Sequence, residues 1–291
     1  MQADPHEFMR LQSSVHKVLI QKTDLEKKRL NMGIKVICFL VVFVLLSLSG
    51  FAQEDKAGYW LNKGIALDNL GNYQDAISAY ENATHENSSA LHAWNNIGLD
   101  LLRLGKYNES LQAFDQTLSI DSKFSWAWNN KGLALSSMGE YKKAINAFDN
   151  ATKIDPSYVK AWDNKGFAYL SLGDNNQAIK AFDAAIKLDP AQTSAWSNKG
   201  IALFNMGKYN ESIDAFEQAA KLNPKFAQAW NYKGIALINL NRSNEAIGAF
   251  ENATIADPNF AEAWNNLGLT LNAAGRYQEA LEAFDMAIAA K

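Results

Sequence analysis

Cysteine and histidine are scarce in this chain of 291 residues, and the common signatures of catalysis are missing. The single cysteine, Cys38, rules out an internal disulfide and a zinc site built from cysteines. The four histidines stand in no metal-binding pattern, and the chain has no phosphate-binding glycine loop, nucleophile elbow or paired-carboxylate motif. These absences predict a non-enzymatic protein that needs no metal and no cofactor.

Basic residues are too few to form a nucleic-acid-binding surface. The formal net charge is -3, and residues 1–35 alone carry seven of the 28 basic side chains. Residues 36–291 are left with 21 basic and 27 acidic side chains. A protein that binds the phosphate backbone needs a basic patch or stripe, so nucleic acid is excluded as a partner.

Long apolar runs are also absent, except near the N-terminus. Residues 36–46 contain no polar side chain, and the apolar character continues to residue 52. This length is short for a spanning helix and is typical of a signal-peptide core. Gly50 and Ala52 supply small residues before a cleavage point ahead of Gln53. An uncleaved signal anchor over 36–52 is the alternative.

The segment 1–35 is either a cytoplasmic leader or the product of a misassigned start. Translation from Met32 instead of Met1 gives a compact signal peptide. Under either alternative the basic residues that precede the apolar run stay in the cytoplasm. The repeats are therefore predicted to be extracytoplasmic, secreted or membrane-anchored, and membrane contact is predicted only through 36–52, if that segment is uncleaved.

Tryptophan is the most informative residue that the chain does contain. Seven tryptophans follow one another at intervals of 34 residues: Trp60, Trp94, Trp128, Trp162, Trp196, Trp230 and Trp264. A fixed period of this length indicates an array in which each unit buries its apolar face against its neighbours. Such an array points to binding and not to chemistry.

Each period predicts two helices. A glycine follows each tryptophan by four residues, and a second follows by eleven, except that Asn241 takes this place in the sixth unit. The second glycine is expected to end the first helix with positive φ, a conformation that asparagine tolerates. The first lies inside a helix, which implies that a neighbour approaches too closely for a Cβ. An aromatic stands twenty residues after each tryptophan, and Pro156, Pro190, Pro224 and Pro258 close the second helices.

The pattern resembles the tetratricopeptide repeat family, with tryptophan, glycine, tyrosine, alanine, phenylalanine and proline at that family's offsets. The resemblance covers residues 57–291 and implies an all-α, right-handed superhelical solenoid of seven helix-turn-helix units. The predicted units are 57–90, 91–124, 125–158, 159–192, 193–226, 227–260 and 261–291.

The resemblance also implies a concave face, lined by the first helices, that holds extended peptide segments. Two residues after the tryptophan stand Asn62, Asn96, Asn130, Asn164, Asn198 and Asn266, with Tyr232 in the sixth unit. Primary amides both donate and accept hydrogen bonds, so this row is a candidate ladder for peptide main chain. Its replacement by alanine is then expected to abolish binding with little effect on stability. Alternatively, the asparagines are fillers copied by duplication.

Nearby positions refine the predicted groove. Aliphatic or aromatic residues lie five after each tryptophan, which predicts a neutral and partly apolar surface. Trp126, the one tryptophan off the period, is a candidate groove contact. Lys63, Lys131, Lys165, Lys199 and Lys233 form a row three after the tryptophan, and we expect a solvated charged face there.

Together these features predict a non-catalytic scaffold that binds a protein or peptide partner. One alternative is a self-associating envelope element, because no polar helix covers the end of the last unit and copies could stack end to end. Another is an auxiliary subunit of an envelope enzyme or translocation machinery.

Overall fold

The computed structural model describes residues 56–290, so the predicted leader 1–35 and apolar segment 36–52 lie outside the described residues. Fourteen helices and no strand occur between 56 and 290. They are α1 (56–69), α2 (Tyr73–Glu86), α3 (Leu91–Arg103), α4 (Tyr107–Ile120), α5 (Ser125–Ser137), α6 (Tyr141–Ile154), α7 (Val159–Ser171), α8 (Asn175–Leu188), α9 (Thr193–Asn205), α10 (Tyr209–Leu222), α11 (Ala227–Asn239), α12 (Ser243–Ala256), α13 (Ala261–Ala273) and α14 (Tyr277–Ala289).

A residue in the left-handed conformation follows the first helix of every pair. After α5, Gly139 has a φ of 75°, and the next amide, on Glu140, donates to the Leu135 carbonyl at 2.9 Å. This bond satisfies one of the carbonyls that a helix end leaves without a partner. Asn241 occupies the same place in the sixth pair with a φ of 59°. The predicted role of these residues is confirmed.

A tight contact between a glycine and an aromatic ring joins the two helices of each pair. A Cβ placed on Gly132 would lie 2.5 Å from the ring of Phe148, which is fully buried. The same clash arises at the equivalent glycine of all seven pairs. The predicted close approach is therefore confirmed, and its cause is the ring carried by the partner helix.

The odd-numbered helices form the inner layer of the array. Consecutive helices pack against each other from α2 to α14, and α3 contacts α5, α5 contacts α7, α7 contacts α9, and α9 contacts α11. Within the described residues no comparable contact joins two even-numbered helices. The layer with the closer spacing lies on the concave side, so α1, α3 and the later odd helices line the groove.

The periodic tryptophans hold the turns between units. The indole N–H of Trp162 donates to the Pro156 carbonyl at 3.0 Å, and the indole of Trp196 donates to the Pro190 carbonyl at the same distance. This bond recurs from Trp94 to Trp264 with lengths of 2.9 to 3.3 Å. Each of these six tryptophans therefore fixes the direction in which its own first helix leaves the preceding turn.

The lysine row joins neighbouring units. Lys165 lies over the ring of Trp162 and pairs with Asp149 of the preceding unit at 2.7 Å, with 16% of its side chain exposed. Lys131, Lys199 and Lys233 make the equivalent pairs with Asp115, Asp183 and Glu217. The prediction of a solvated charged face is therefore wrong for these four lysines, because the acid of the preceding unit meets them at the joint.

Candidate binding groove

The inner layer contains all of the predicted site residues. Asn62 is exposed, as is Trp126 with 54% of its surface accessible, and Asn130 is buried. Trp126 belongs to an aromatic group, since its ring centroid lies 5.9 Å from that of Phe124, which lies 5.7 Å from His92. Four asparagines of the predicted row are half-buried: Asn96, Asn164, Asn198 and Asn266.

The asparagine row makes hydrogen bonds between units. Asn164 donates through Nδ2 to Oδ1 of Asn129, in the preceding unit, at 2.9 Å. Asn130 donates in the same way to Asn95 at 3.0 Å, and Asn266 to Asn231 at 2.9 Å. The acceptors are buried and stand one residue after the tryptophans. In each of these three asparagines, one of the two N–H groups of Nδ2 is thus already used inside the protein.

Asp163 takes the acceptor place in the fourth unit. Burial raises the pKa of its carboxyl, and the neighbouring side chains of Ser194, Gln192 and Asn198 oppose that rise by donating to it. The Ser194 hydroxyl donates to Oδ2 at 2.6 Å, whereas Oδ1 has no hydrogen-bond partner among the described residues. The chain of bonds between units therefore continues through a carboxyl acceptor.

These bonds limit what the row can offer a ligand. Oδ1 of Asn164 and Oδ1 of Asn266 receive no hydrogen bond within the described part of the chain, so both oxygens can accept from a peptide N–H. Nδ2 of each of these two asparagines uses one of its two N–H groups in the bond between units, which leaves a single N–H for a peptide carbonyl. The peptide ladder stays a prediction, with one oxygen and one N–H of each amide as its available groups.

Apolar side chains form the more accessible part of the groove. Phe167 is 48% exposed and Leu269 is 54% exposed, both five residues after a tryptophan on an inner helix. Ile65 shares this place and is also exposed. Isolated exposed apolar residues are ordinary, but a row along one concave face is typical of a binding groove.

A polar cluster at the joint between the first and second units was not predicted. Asp100 is almost fully buried, and it accepts a hydrogen bond from Arg103 at 2.7 Å, while Arg103 also pairs with Asp68. The Tyr80 hydroxyl and Oδ2 of Asp100 are buried without a partner among the described residues. Alanine or threonine stands at the Asp100 place in the other units, and this departure was the available signal.

Burial and the nearby Asp68 raise the pKa of Asp100 from its ordinary 3.8 to about 6, although Arg103 opposes the rise. Burial followed by the Asp100 charge raises the pKa of Tyr80 to about 12. The folded state therefore holds the Asp100 proton more tightly than the unfolded state does. Its contribution to stability is fully present below pH 4 and is lost as the pH rises through 6.

Asp100→Ala, which restores the residue found in most units, is therefore expected to stabilise the protein at pH 7 by about 1–3 kcal/mol. The gain should shrink as the pH falls from 7 to 4, because the wild-type carboxyl then becomes neutral. Urea unfolding at both pH values measures this difference. Ser78→Ala, on the exposed face of α2, is the control and should leave the pH profile unchanged. A loss of stability at pH 7 would show instead that Arg103 depends on Asp100.

Across residues 56–290, no three His, Cys, Asp or Glu side chains lie close enough to hold a metal ion. No helix in that range combines the length and apolar character needed to cross a membrane.

The fold and the groove together define an α-helical solenoid whose inner layer is shaped for binding. Tetratricopeptide repeat models match residues 61–123 and 233–291, 125–158 and 193–226, and 215–248, and a TPR repeat model matches 166–207. The chain belongs to the tetratricopeptide repeat family. Proteins of this family bind protein or peptide partners and are generally non-catalytic. This chain is a protein-interaction scaffold.

Solved structures support the fold. The crystal structure of MamA is 28% identical and covers 55% of this chain and 93% of its own, with a TM-score of 0.52. A tetratricopeptide repeat protein from Parabacteroides merdae is 18% identical over 81% of this chain and 93% of its own, with a TM-score of 0.62. YrrB, described as a TPR protein with an unusual peptide-binding site, is 24% identical. The match covers 62% of this chain and 93% of YrrB, with a TM-score of 0.52. No curated protein matches the chain.

Proposed function

We propose that this protein is an exported or membrane-tethered scaffold that holds an extended segment of a partner protein along its inner helices. The observation that carries the proposal is the row of accessible apolar side chains on those helices, including Phe167 and Leu269. They lie beside the asparagine row, whose free oxygens can accept from peptide N–H groups. The apolar side chains supply affinity, and the amide oxygens fix the orientation of the bound peptide.

The chemistry of the groove favours a neutral partner segment. The lysines nearest the groove are paired with acids of the preceding unit, so they are not available to clamp a carboxylate tail. The places one and two after the tryptophan hold mainly amides. A strongly acidic or basic segment would have to leave water without gaining a countercharge, which is costly.

Affinity capture from a cell-envelope fraction tests the proposal with the full chain as bait. Phe167→Ser combined with Leu269→Ser is expected to lose the partner, because both changes remove apolar contact area in the groove. Ile255→Ser is the matched control, since Ile255 is 77% exposed but lies on the outer helix α12. Loss with the control and retention with the groove variant would place the partner on the outer surface.

Export is a separate part of the proposal and rests on the apolar segment 36–52 with basic residues before it. Protease added to intact cells is expected to digest the repeats. Full protection of the repeats until the cells are lysed would overturn the export proposal.

Self-association is a second candidate, because α14 exposes several large apolar side chains. Leu281 is 59% exposed and Ile288 is 68% exposed. Another copy could cover this face as the next helix covers each earlier unit. Sedimentation would then show growth with concentration, whereas a monomer at every concentration would exclude it.

A further inference from the structure

One pocket opens between two neighbouring inner helices. It has a volume of about 240 Å³ and is lined by Leu133, Ser136, Ser137, Phe148, Asn164 and Phe167. We call this cavity the Ser136 pocket. Phe148 lies at its floor and is fully buried, while Phe167 is 48% exposed. No charged residue lines it, and its volume lies below the range of about 300–1,000 Å³ of whole small-molecule sites. It therefore fits one neutral side chain better than a cofactor.

The pocket exists because the third unit has a small residue where its neighbours have large ones. Ser136 stands eight residues after its tryptophan, and the units on either side have Leu102 and Leu170 at that place. The fifth and sixth units have Phe204 and Ile238. A leucine in place of Ser136 would extend into the space that the pocket now provides. Ser136 also leaves a buried hydroxyl oxygen without a hydrogen-bond partner among the described residues.

Another joint of the same protein shows how an aromatic ring packs on the residue equivalent to Phe148. Between the fifth and sixth units, Tyr232 stands at the place of Asn164, and its ring stacks on Phe216, the equivalent of Phe148. The ring centroids are 5.6 Å apart and the planes differ by 13°. Between the third and fourth units the shorter Asn164 supplies no ring. Phe204 stands at the Ser136 place in the fifth unit, so the Tyr232 ring does not fill an equivalent pocket; it shows that a ring can stack on the aromatic residue at the Phe148 place. A ligand can bring such a ring into the Ser136 pocket.

We infer that the Ser136 pocket is the anchor of the groove and takes one neutral aromatic side chain of the partner, with tyrosine the best match. The ring contacts Leu133, Phe148 and Phe167, which provide the apolar walls. The phenol hydroxyl pairs with Ser136, whose oxygen has no other partner, or donates to the free Oδ1 of Asn164. Phenylalanine fits the walls but leaves the serine unpaired, and a lysine or glutamate side chain would enter without a countercharge. This inference deepens the proposed function and rests on it.

Ligand-observed NMR with the full chain tests the pocket without knowledge of the partner. The probes are the N-acetyl amides of tyrosine, phenylalanine, leucine and lysine. The tyrosine amide is expected to bind most tightly, and Ser136→Leu to weaken it at least tenfold. Ser136→Leu introduces the residue that the adjacent units already have, so the fold should accept it. Ser78→Leu, at an exposed place on α2, adds the same side chain away from the pocket and should bind like the wild type.

Ser136→Ala separates the contribution of the pocket's shape to binding from the contribution of the Ser136 hydroxyl. This variant should bind the tyrosine amide less tightly than the wild type does and the phenylalanine amide about equally, because it removes only one polar partner of the phenol. Tyrosine binding that is unchanged by Ser136→Leu, or tightest binding of the lysine amide, would overturn the inference. If Ser136→Leu keeps the partner in envelope capture while Phe167→Ser with Leu269→Ser loses it, the groove function holds and the anchor fails. If the tyrosine amide binds the pocket but no partner depends on the groove, the anchor holds and the proposed function fails.

Discussion

Gly166→Ala is expected to destabilise the protein by about 1–3 kcal/mol, although alanine is the better helix former. A Cβ on Gly166 would lie 2.5 Å from the ring of Phe182, which is fully buried beneath α7. The ring is part of the buried core, so we expect the two helices to separate slightly. Unfolding in urea, followed by circular dichroism, gives the change in free energy.

Gly248→Ala is the matched control and should have the opposite sign. Gly248 also lies inside a helix, α12, but no atom stands within 4 Å of a Cβ placed there. The substitution then gains only helix propensity, about 0.5–1 kcal/mol. A similar effect at both glycines would contradict the steric explanation for the glycine of the first helix.

Removal of the ring should reverse the effect at Gly166. Phe182→Ala alone is expected to cost about 3–5 kcal/mol, because it leaves a cavity at a fully buried site. In that background, Gly166→Ala meets no ring and is expected to stabilise the protein. This change of sign in a double-mutant cycle would show that Gly166 is required by Phe182 and not by the backbone. Additive effects would show that the two residues are independent.

The repeat could be predicted from the sequence because its local signals agree with one another. Glycine at a left-handed helix end, proline after a second helix and a tryptophan in each unit all predict the same helix boundaries. Even Asn241, which breaks the glycine pattern, keeps the required backbone conformation with a φ of 59°. The fold follows from the 34-residue period and from the residues at the helix ends, whose effect on the backbone is local.

Contacts between units were harder to predict, because they join places about half a repeat or one repeat apart. Lys165 is 16 residues from Asp149, and Asn164 is 35 residues from Asn129. One row of lysines and one row of asparagines each resemble a surface pattern until the neighbouring unit is placed beside them. A tandem repeat can hide such pairs, because its internal period explains the regularity without any contact.

Residues that depart from the repeat are a better guide to individual sites than residues that recur in every unit. Asp100 and Ser136 each differ from the residues at the same place in most other units, and each lies at an unusual joint. Comparison of the seven units could have found both residues. Their chemistry could not have been derived from the comparison alone, because the buried hydroxyls and carboxyls become evident only when two units meet.

The bonds between units also change what is expected of the asparagine row. From the sequence alone, Asn130→Ala with Asn164→Ala should abolish binding with little effect on stability. The structure predicts instead that this pair of changes lowers the stability, because Asn130 and Asn164 each donate to the preceding unit. Lost capture by that double variant would therefore not distinguish a peptide ladder from a damaged joint.

Asn129→Ala isolates the joint and is expected to cost about 1–3 kcal/mol. Asn129 is buried, accepts from Asn164 at 2.9 Å and donates to Asn130 at 3.3 Å. Alanine leaves both partners with an unpaired polar group in a half-buried layer. Asn129→Asp keeps the acceptor for Asn164, as Asp163 does in the next unit, and should cost less. Equal unfolding midpoints for the wild type and Asn129→Ala would mean that water replaces these bonds at no cost.

Partner capture by the same variants then decides what the row does. If its oxygens grip a peptide, Asn129→Asp should bind nearly as well as the wild type, because it keeps the bond that orients Asn164. Asn164→Ala should lose capture beyond what its loss of stability explains, since it removes the free Oδ1. If Asn129→Ala and Asn164→Ala lose capture in proportion to their loss of stability, the row serves to join the units. The apolar side chains of the inner helices would then be the principal contacts of the partner.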